Sequence, residues 1–411
     1  METIYLDHNA TTPIRPEVVE AMARCGLAAY ANPASQHRPG QQARRTLEEA
    51  REAIAETLGA DLAPPRRDRL LFTSGGTEAN NLAVLGIAAS PCPVGGPGVR
   101  AASAKGDPRI VISAGEHQSV IEPAEHLLEQ GWRVDTLGLT PQGVVRVEQL
   151  PPLLGDCPHF RLNENGTVPL DGIRLVSVLL GSHETGVLQP IAQLAALCNR
   201  AGVPLHTDAV QVVGKLPVSF RTLAVAAMSV AAHKFQGPVG IGALLVRGDV
   251  QLAPLVFGGH QQEGLRPGTE SVALAVGMAT ALELCRKEQA ERARRLTALR
   301  DRFESALRAA LPNIVVHGAG ANRLPQTSNV AFPGHDGEML RMALDLAGVA
   351  CSVGSACSSG STELSPTLRA MDLPNELVTS SLRFSLGATT TEAEIDEAVR
   401  RIAHVCRELG G

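Results

Sequence analysis

A nearly uninterrupted apolar run at residues 173–180 (IRLVSVLL) is the feature that most constrains the fold. A strand with apolar side chains on both faces is typical of a parallel sheet that helices cover on both sides. Comparable strand patterns occur at residues 70–73, 109–113, 132–137, 203–207 and 241–246, with helical patterns between many of them. This alternation predicts an α/β fold with a mostly parallel, doubly wound sheet.

Four polar or reactive side chains follow predicted strands: His117, His183, Asp208 and Lys234. In open α/β sheets, ligands bind beyond the carboxyl ends of the strands. Either histidine taken alone is more often a structural residue than a catalytic one. Because all four lie at the same end of their strands, together they predict a functional site at that edge of the sheet.

A glycine-rich turn at residues 74–78 (SGGTE) leads from a predicted strand into a predicted helix. The free N–H groups and the dipole at the start of a helix favour an anion, so Gly76 and Thr77 are candidate phosphate ligands. An ordinary strand–helix turn has the same pattern. Neither G-x-G-x-x-G nor GK[ST] is present, which disfavours a dinucleotide or nucleoside triphosphate.

Lys234 lies in residues 228–240 (MSVAAHKFQGPVG), between small residues and a Gly/Pro-rich turn. A lysine that is partly shielded from water is a usable nucleophile toward an aldehyde. By itself this stretch favours a solvent-exposed lysine at a strand end. Together with Asp208, His117 and the turn at Thr77 it suits pyridoxal 5′-phosphate, in which a carboxylate keeps the ring nitrogen protonated and the lysine binds the aldehyde.

The chain resembles the class I cysteine desulfurases nearly from end to end. The motifs that carry the resemblance are YLDHNATTP (5–13), NPASQH (32–37), FTSGGTEANN (72–81), EHQSV (116–120), ETG (184–186), HTDAVQ (206–211), HKFQGPVGIGAL (233–244), RPGTE (266–270), GSACSSGS (354–361) and LRFSLG (382–387).

This resemblance implies a homodimer of the pyridoxal-phosphate-dependent aminotransferase fold type I. It implies a large domain at residues 15–269 with a seven-stranded, mostly parallel sheet. Residues 1–14 and 270–411 are then expected to form a smaller α+β domain. From the sequence pattern we also expect residues 9–12 to cap the helix that begins near Pro16.

The resemblance also implies roles for individual residues. Lys234 binds the cofactor aldehyde, His117 stacks on the ring and assists proton transfer, and Asp208 pairs with the ring nitrogen. Further cofactor contacts are implied for Gly76, Thr77, His183, Gln211, His233 and, from the partner subunit, Thr269. Asn32 and Arg383 are implied to bind the substrate, and a two-pronged arginine suits a carboxylate.

Cys357 matches the catalytic cysteine of the family. It lies in residues 352–360 (SVGSACSSG), where small neighbours favour access over a packed core. Cys351 follows an apolar run and is the less favoured nucleophile. The implied reaction converts L-cysteine to L-alanine and leaves a persulfide on Cys357 for a sulfur acceptor in iron–sulfur cluster assembly or tRNA thiolation.

Three alternatives remain open at this point. They are a selenocysteine lyase, another transaminase of fold type I, and a non-catalytic scaffold that binds iron–sulfur assembly proteins. Two positions depart from the usual pattern of the family. His183 stands where an asparagine is usual, and Ala231 replaces a serine that would contact the phosphate.

Composition excludes several other functions. The net charge of −5 and an aromatic content of 3% disfavour direct nucleic-acid binding. We expect neither a secretory signal nor a membrane span, because the start of the chain is not basic and the apolar runs are short. The eight cysteines form no C-x-x-C pair, so we expect reduced thiols, no metal site and a cytoplasmic protein.

Overall fold

The computed structural model describes residues 3–90, 100–101, 108–155, 167–168, 172–354 and 364–410. The strands in these ranges are β1 Ile4–Tyr5, β2 Arg69–Thr73, β3 Arg100–Ala101, β4 Arg109–Ser113, β5 Arg133–Leu137, β6 Thr167–Val168, β7 Ile173–Ser177, β8 Leu205–Asp208, β9 Ala227–Ala231, β10 Gly242–Val246, β11 Val315–Val316, β12 Thr327–Ala331, β13 Val349–Ala350 and β14 Ser381–Ser385. The helices are α1 Pro16–Ala28, α2 Arg38–Thr57, α3 Gly76–Ala88, α4 Gln118–Glu129, α5 Leu150–Gly155, α6 Ile191–Ala201, α7 Phe220–Leu223, α8 Val272–Ala310, α9 Gly337–Leu346, α10 Pro366–Ala370, α11 Asn375–Thr379 and α12 Glu392–Leu409.

Seven strands form the main sheet in the order β2-β10-β9-β8-β7-β4-β5. The five strands from β9 to β5 are mutually parallel, whereas β10 runs antiparallel to both of its neighbours. All five residues of β7 are buried, as the apolar run predicts. The predicted mostly parallel, seven-stranded sheet is therefore confirmed.

Alternate side chains of the sheet strands enter two different cores. Leu70, Val111 and Val176 belong to a core that also contains residues of α1, α2 and the first half of α8. Leu71 and Ile110 point to the other face, where α3 and α4 complete a second core. Helices thus cover both faces, and the ligand edge is left at the strand ends.

A separate apolar core lies in the C-terminal part of the chain. It packs the three-stranded sheet β11-β12-β14 against α9, α12 and the second half of α8. Ile4 and Leu6 belong to this core because β1 pairs in parallel with β13. The domain limits 15–269 and 1–14 with 270–411 stay a prediction.

The expectation that residues 9–12 cap the first helix is wrong. Helix α1 begins at Pro16 with Arg15 as its N-cap residue, and no side chain caps it. Thr12 instead donates from Oγ1 to the carbonyl of His233 at 2.6 Å. The segment is held by the strand ends of the main sheet and not by the helix that follows it.

No helix within the described ranges combines the length and the apolar character needed to cross a bilayer.

Candidate functional site

The strand order brings the predicted site residues to one edge of the sheet. Strands β9, β8, β7 and β4 are adjacent and parallel, and they precede Lys234, Asp208, His183 and His117, with Asp208 as the last residue of its strand. Strand β2 runs in the same direction as β9, since both are antiparallel to β10. The start of α3 at Gly76 therefore lies at this edge as well.

Lys234 lies in a short 3-10 turn directly after β9. Its Nζ donates to the carbonyl oxygens of Asn9 at 2.6 Å and Ala10 at 2.8 Å. These two carbonyl acceptors hold the amino group in place. The side chain is only partly buried, as a nucleophile that must meet a ligand requires.

The N-terminal residues 7–12 join the sheet edge to the C-terminal sheet. The Asn9 Nδ2 donates to Thr327 Oγ1 at 2.9 Å and to the His183 carbonyl at 3.2 Å. The Asn9 carbonyl accepts from Gln211 Nε2 at 3.0 Å. Asn9 is buried at 1% exposure, so these bonds are shielded from competing water.

Asp208 ends β8 with both carboxylate oxygens engaged. Its Oδ1 accepts from the backbone N–H of Val210 at 2.9 Å, and its Oδ2 accepts from Asn80 Nδ2 at 2.7 Å. The same Asn80 nitrogen donates to Ser119 Oγ at 2.8 Å. These bonds fix the orientation of the carboxylate, which suits a group that must face a ring nitrogen.

His117 is the N-cap residue of α4, and its Nδ1 accepts from the Ser119 N–H at 3.1 Å. Because Nδ1 is an acceptor, the neutral ring carries its proton on Nε2. The ring packs edge-on against His183 with centroids 5.2 Å apart. Burial, followed by the nearby His117, Arg383 and Lys234, holds the pKa of His183 well below 6.5, so this imidazole is neutral at pH 7.

Glu116 is a fully buried carboxyl group next to His117. Its Oε1 accepts from Ser113 Oγ at 2.5 Å and from the Leu179 N–H at 2.9 Å. Its Oε2 has no partner in the part of the chain that the structure describes. Burial, opposed by these bonds and reinforced by the charge of Asp208, raises the pKa of Glu116 to about 8.

Arg383 is buried in β14, with its side chain 3% exposed. One terminal nitrogen donates to Asp7 Oδ1 at 2.8 Å and the other to the His183 carbonyl at 3.1 Å. Its Nε is buried without a partner among the described residues. The guanidinium is thus held beside His183, with part of its donor capacity unused.

The start of α3 is open to a ligand. A Cβ built on Gly75 would meet no atom within 4 Å, whereas one on Gly76 would lie 3.0 Å from Val210 Cγ2 and 3.4 Å from Ala231 Cβ. Gly76 therefore packs closely on the ends of β8 and β9. Thr77 is exposed on the first turn of the helix.

His233 and Gln211 are also at this edge. His233 Nδ1 pairs with Thr11 Oγ1 at 3.1 Å, and burial, followed by Lys234 and Lys215, lowers its pKa to about 4. The Gln211 Oε1 accepts from Lys215 Nζ at 2.8 Å. Gln211 shares the Asn9 carbonyl as an acceptor with Lys234, and His233 directly precedes Lys234 in the chain.

The remaining predicted residues are less central. Asn32 and Thr269 are exposed, and Asn32 Oδ1 accepts from the Ala34 N–H at 2.9 Å. Cys357 lies outside the described residues. Burial, as the first of several causes, raises the pKa of Cys351 to about 12, which disfavours its reactive thiolate form.

Sequence reasoning missed several residues that organise this site. Asp7, Asn9 and Thr11 belong to the quoted motif YLDHNATTP, but they lie more than 200 positions from most of their partners, so no local pattern reveals what they contact. Glu116 and Asn80 belong to the quoted motifs EHQSV and FTSGGTEANN, and an interior carboxyl or amide within such a motif is the signal that points to them.

Comparison with known proteins agrees with this geometry. The chain matches the class-V aminotransferases over residues 4–398. The chain belongs to the class-V aminotransferase family. Three relatives place it among the cysteine desulfurases of that family.

The cysteine desulfurase IscS of Dictyoglomus turgidum is 37% identical over 406 residues, covering 99% of this chain and 95% of the relative. The IscS-like cysteine desulfurase of Mycobacterium tuberculosis is 40% identical, covering 96% and 94%. The cysteine desulfurase NifS of Azotobacter vinelandii is 35% identical, covering 100% and 94%.

Solved structures give the same fold for this class-V aminotransferase. A NifS-like protein from Rickettsia africae superposes with a TM-score of 0.83 at 28% identity, covering 98% of this chain and 99% of that one. A second NifS-like protein gives a TM-score of 0.84 at 29% identity, covering 99% and 100%. The fold type I architecture is therefore confirmed.

Proposed function

We propose that this class-V aminotransferase is a cysteine desulfurase that uses pyridoxal 5′-phosphate to convert L-cysteine to L-alanine. The observation that carries the proposal is the grouping of Lys234, Asp208 and His117 at the ends of adjacent parallel strands. Full-length relatives that are cysteine desulfurases support the choice of substrate.

The residues at this edge fit the cofactor in their chemistry and in the space they leave. The Lys234 amino group suits the cofactor aldehyde, and the oriented Asp208 carboxylate suits the ring nitrogen. The His117 imidazole suits the face of the ring. The first N–H groups of α3 have no intrahelical acceptors and favour a phosphate. The open space at Gly75 leaves room for that phosphate.

Each of these residues then has a defined task. Lys234 binds the aldehyde and moves the proton of the substrate Cα. Asp208 keeps the ring nitrogen protonated, and Asn80 and the Val210 N–H hold its carboxylate in orientation. When bound, the cofactor supplies an electron sink for the pair released at Cα. Gly76, Thr77 and His233 hold the phosphate, and His183 and Gln211 contact the ring.

Substrate and sulfur require further groups. Arg383, with Asn32, binds the substrate carboxylate through donor hydrogens that its bonds to Asp7 and to the His183 carbonyl leave unused. The thiolate of Cys357 attacks the substrate sulfur, the Cβ–S bond breaks, and L-cysteine plus the enzyme thiol become L-alanine plus an enzyme persulfide. The persulfide then passes to a sulfur acceptor in iron–sulfur cluster assembly or tRNA thiolation.

We also propose that the protein is a homodimer. Large apolar side chains are exposed close in sequence to site residues: Tyr30 (76%) near Asn32, Val239 (75%) after Lys234, and Phe257 (86%) before Thr269. A partner subunit that covers these side chains would bring its Thr269 toward the phosphate.

The cysteines suit a cytoplasmic location. The free cysteines among the described residues are expected in a reducing compartment.

Borohydride reduction followed by peptide mass spectrometry tests the proposed function. We expect pyridoxal phosphate to be trapped on the Lys234 peptide of the wild type and on no peptide of Lys234→Ala. Lys287→Ala, which removes an exposed amino group, is the control and should trap normally. Trapping at the wild-type level in Lys234→Ala would refute the assignment.

A second assay separates the related lyases. Release of sulfide from L-cysteine is compared with release of selenide from L-selenocysteine at equal concentrations. Faster selenide release with no alanine from L-cysteine would replace the desulfurase by a selenocysteine lyase. A protein with no bound cofactor and no turnover of either substrate would instead be a scaffold.

A further inference from the structure

Lysine is rare in this chain. Of 37 basic residues only four are lysines: Lys105, Lys215, Lys234 and Lys287. Lys287 is exposed and pairs with Glu283, and Lys105 lies outside the described residues. The other two, Lys215 and Lys234, are both partly buried near the same edge of the main sheet.

The two lysines are connected by a chain of hydrogen bonds. Lys215 Nζ donates to Gln211 Oε1 at 2.8 Å. Because this bond fixes which end of the amide is the oxygen, Gln211 Nε2 faces the Asn9 carbonyl and donates to it at 3.0 Å. The same carbonyl accepts from Lys234 Nζ at 2.6 Å. Gln211 and Lys234 therefore share one acceptor.

Backbone packing fixes the position of the turn that carries Lys215 relative to the turn that carries Lys234. Gly214, which precedes Lys215, has φ +77°, and a Cβ built on it would lie 2.3 Å from Phe235 Cβ. Phe235 directly follows Lys234. Only glycine permits this approach, so the turn that carries Lys215 is pressed against the turn that carries Lys234.

The charged groups that act on the Lys215 amino group are mainly cationic. Burial, reinforced by the charge of Lys234 and then opposed by Cys285, lowers the pKa of Lys215 well below 10.5. The charge of Arg383 also lowers the pKa of Lys215. The charge of Lys215 in turn contributes to the lowered pKa values of His8 and His233. Lys215 forms no ion pair with a carboxylate of the described residues, yet its amino group is a hydrogen-bond donor in either protonation state.

We propose that Lys215 is a positioning residue that orients the Gln211 amide and, through the shared Asn9 carbonyl, sets how Lys234 and Gln211 meet the cofactor. This inference rests on the proposed function. Without the Lys215 donor, the Gln211 amide keeps only its bond to the Asn9 carbonyl, so its orientation is less firmly held. The bound cofactor then loses a defined hydrogen-bond donor from Gln211.

Lys215→Met tests this inference, because methionine keeps the length of the side chain and removes the donor. We expect the dissociation constant of pyridoxal phosphate to rise about five- to tenfold, the factor of one lost hydrogen bond. We also expect a changed visible circular-dichroism signal per bound cofactor, because its orientation changes. Lys287→Met is the matched control and should leave both quantities unchanged.

A double-mutant cycle separates positioning from general damage. Gln211→Leu removes the acceptor, and Lys215→Met/Gln211→Leu should bind the cofactor no more weakly than Gln211→Leu alone. Additive losses, or a Lys215→Met protein with wild-type affinity and dichroism, would overturn the inference. Either outcome, with normal cofactor binding by the wild type, would overturn the role of Lys215 and leave the proposed function unaffected.

Acylation of the wild type provides a test that does not depend on the folding of a variant. In the cofactor-free protein at about pH 11, where both amino groups are largely unprotonated, acetic anhydride should modify Lys215 much more slowly than Lys287, as followed by peptide mass spectrometry. Equal rates would contradict the bonded, partly buried position of Lys215. A wild type that binds no cofactor at all would remove the proposed function and this inference together.

Discussion

Lys234 and Asn9, 225 residues apart in the chain, are joined by a hydrogen bond of 2.6 Å from the lysine Nζ to the asparagine carbonyl. The bond ties the strand end that carries the lysine to the N-terminal segment. That segment also pairs with the C-terminal sheet, because Asp7 binds Arg383 and Asn9 binds Thr327. The site therefore forms only when the main sheet and the C-terminal core have both been assembled.

Replacement of Asp208 by asparagine tests the role of the carboxylate. The variant should fold, because an amide oxygen still accepts from the Val210 N–H, while the loss of the bond from Asn80 costs about 1 kcal/mol of stability. Alanine formation should fall about 100-fold, the effect of losing a charge-assisted bond of about 3 kcal/mol. Asp396→Asn, on the surface, is the control. Unchanged turnover of Asp208→Asn would exclude the proposed ring contact.

Replacement of His183 by asparagine tests the contact with His117. The edge-on ring pair is lost, so we expect the free energy of unfolding to fall by about 1 kcal/mol. Because asparagine also offers a hydrogen-bond donor, borohydride trapping on Lys234 should persist. Urea denaturation of the cofactor-free protein measures the first effect. An unchanged unfolding free energy would mean that the ring contact contributes nothing to stability.

Replacement of Ala231 by serine tests how α3 binds the phosphate. Ala231 Cβ lies 3.4 Å from the Cβ position of Gly76, so a hydroxyl there lies at the start of the helix. One added hydrogen bond should tighten pyridoxal phosphate binding about three- to tenfold. Ala232→Ser, at the next position, is the control and should give no gain. Weaker binding by Ala231→Ser would place the phosphate elsewhere.

Replacement of Glu116 by glutamine tests the buried carboxyl group. Its folded-state pKa of about 8 lies above the ordinary value of 4.5, so the folded protein holds a proton that the unfolded chain releases. The stability that this group contributes is full below about pH 4.5 and is lost as the pH rises to about 8. Glutamine has no such proton and keeps the bond from the Leu179 N–H.

Urea unfolding at pH 5.5 and pH 7.5 measures this difference. We expect the stability of the wild type relative to Glu116→Gln to decrease with rising pH, by at most about 1.4 kcal/mol per unit. The buried histidines are common to both proteins and cancel in the comparison. Identical pH profiles of the two proteins would show that Glu116 titrates normally.

The sequence predicts those parts of the molecule that depend on local pattern. Strands β4, β7 and β10 follow from short apolar runs, and the positions of Asp208 and Lys234 follow from the ends of such runs. The N-terminal residues do not, because Asn9 and Thr11 have polar side chains in a turn-like segment and their partners are distant in sequence. The expected capping of α1 was wrong for this reason.

The arrangement around Arg383 also lies beyond pattern reasoning. The motif LRFSLG marks the residue, but its pairing with Asp7 and with the His183 carbonyl depends on how β14 meets the N-terminal segment. The same holds for Lys215, which looks like an ordinary lysine after a turn. Its role becomes visible only from the bond to Gln211.

Localising the transferred sulfur tests the central claim most directly. The cofactor-loaded wild type, Cys357→Ala and Cys351→Ala are each incubated with L-cysteine, alanine is quantified, and peptides are analysed by mass spectrometry under non-reducing conditions. We expect the wild type to form alanine and to carry one extra sulfur on the Cys357 peptide. Cys351→Ala should behave in the same way, whereas Cys357→Ala should bind the cofactor and form neither product. Extra sulfur on Cys351, or normal alanine formation by Cys357→Ala, would contradict the proposed mechanism.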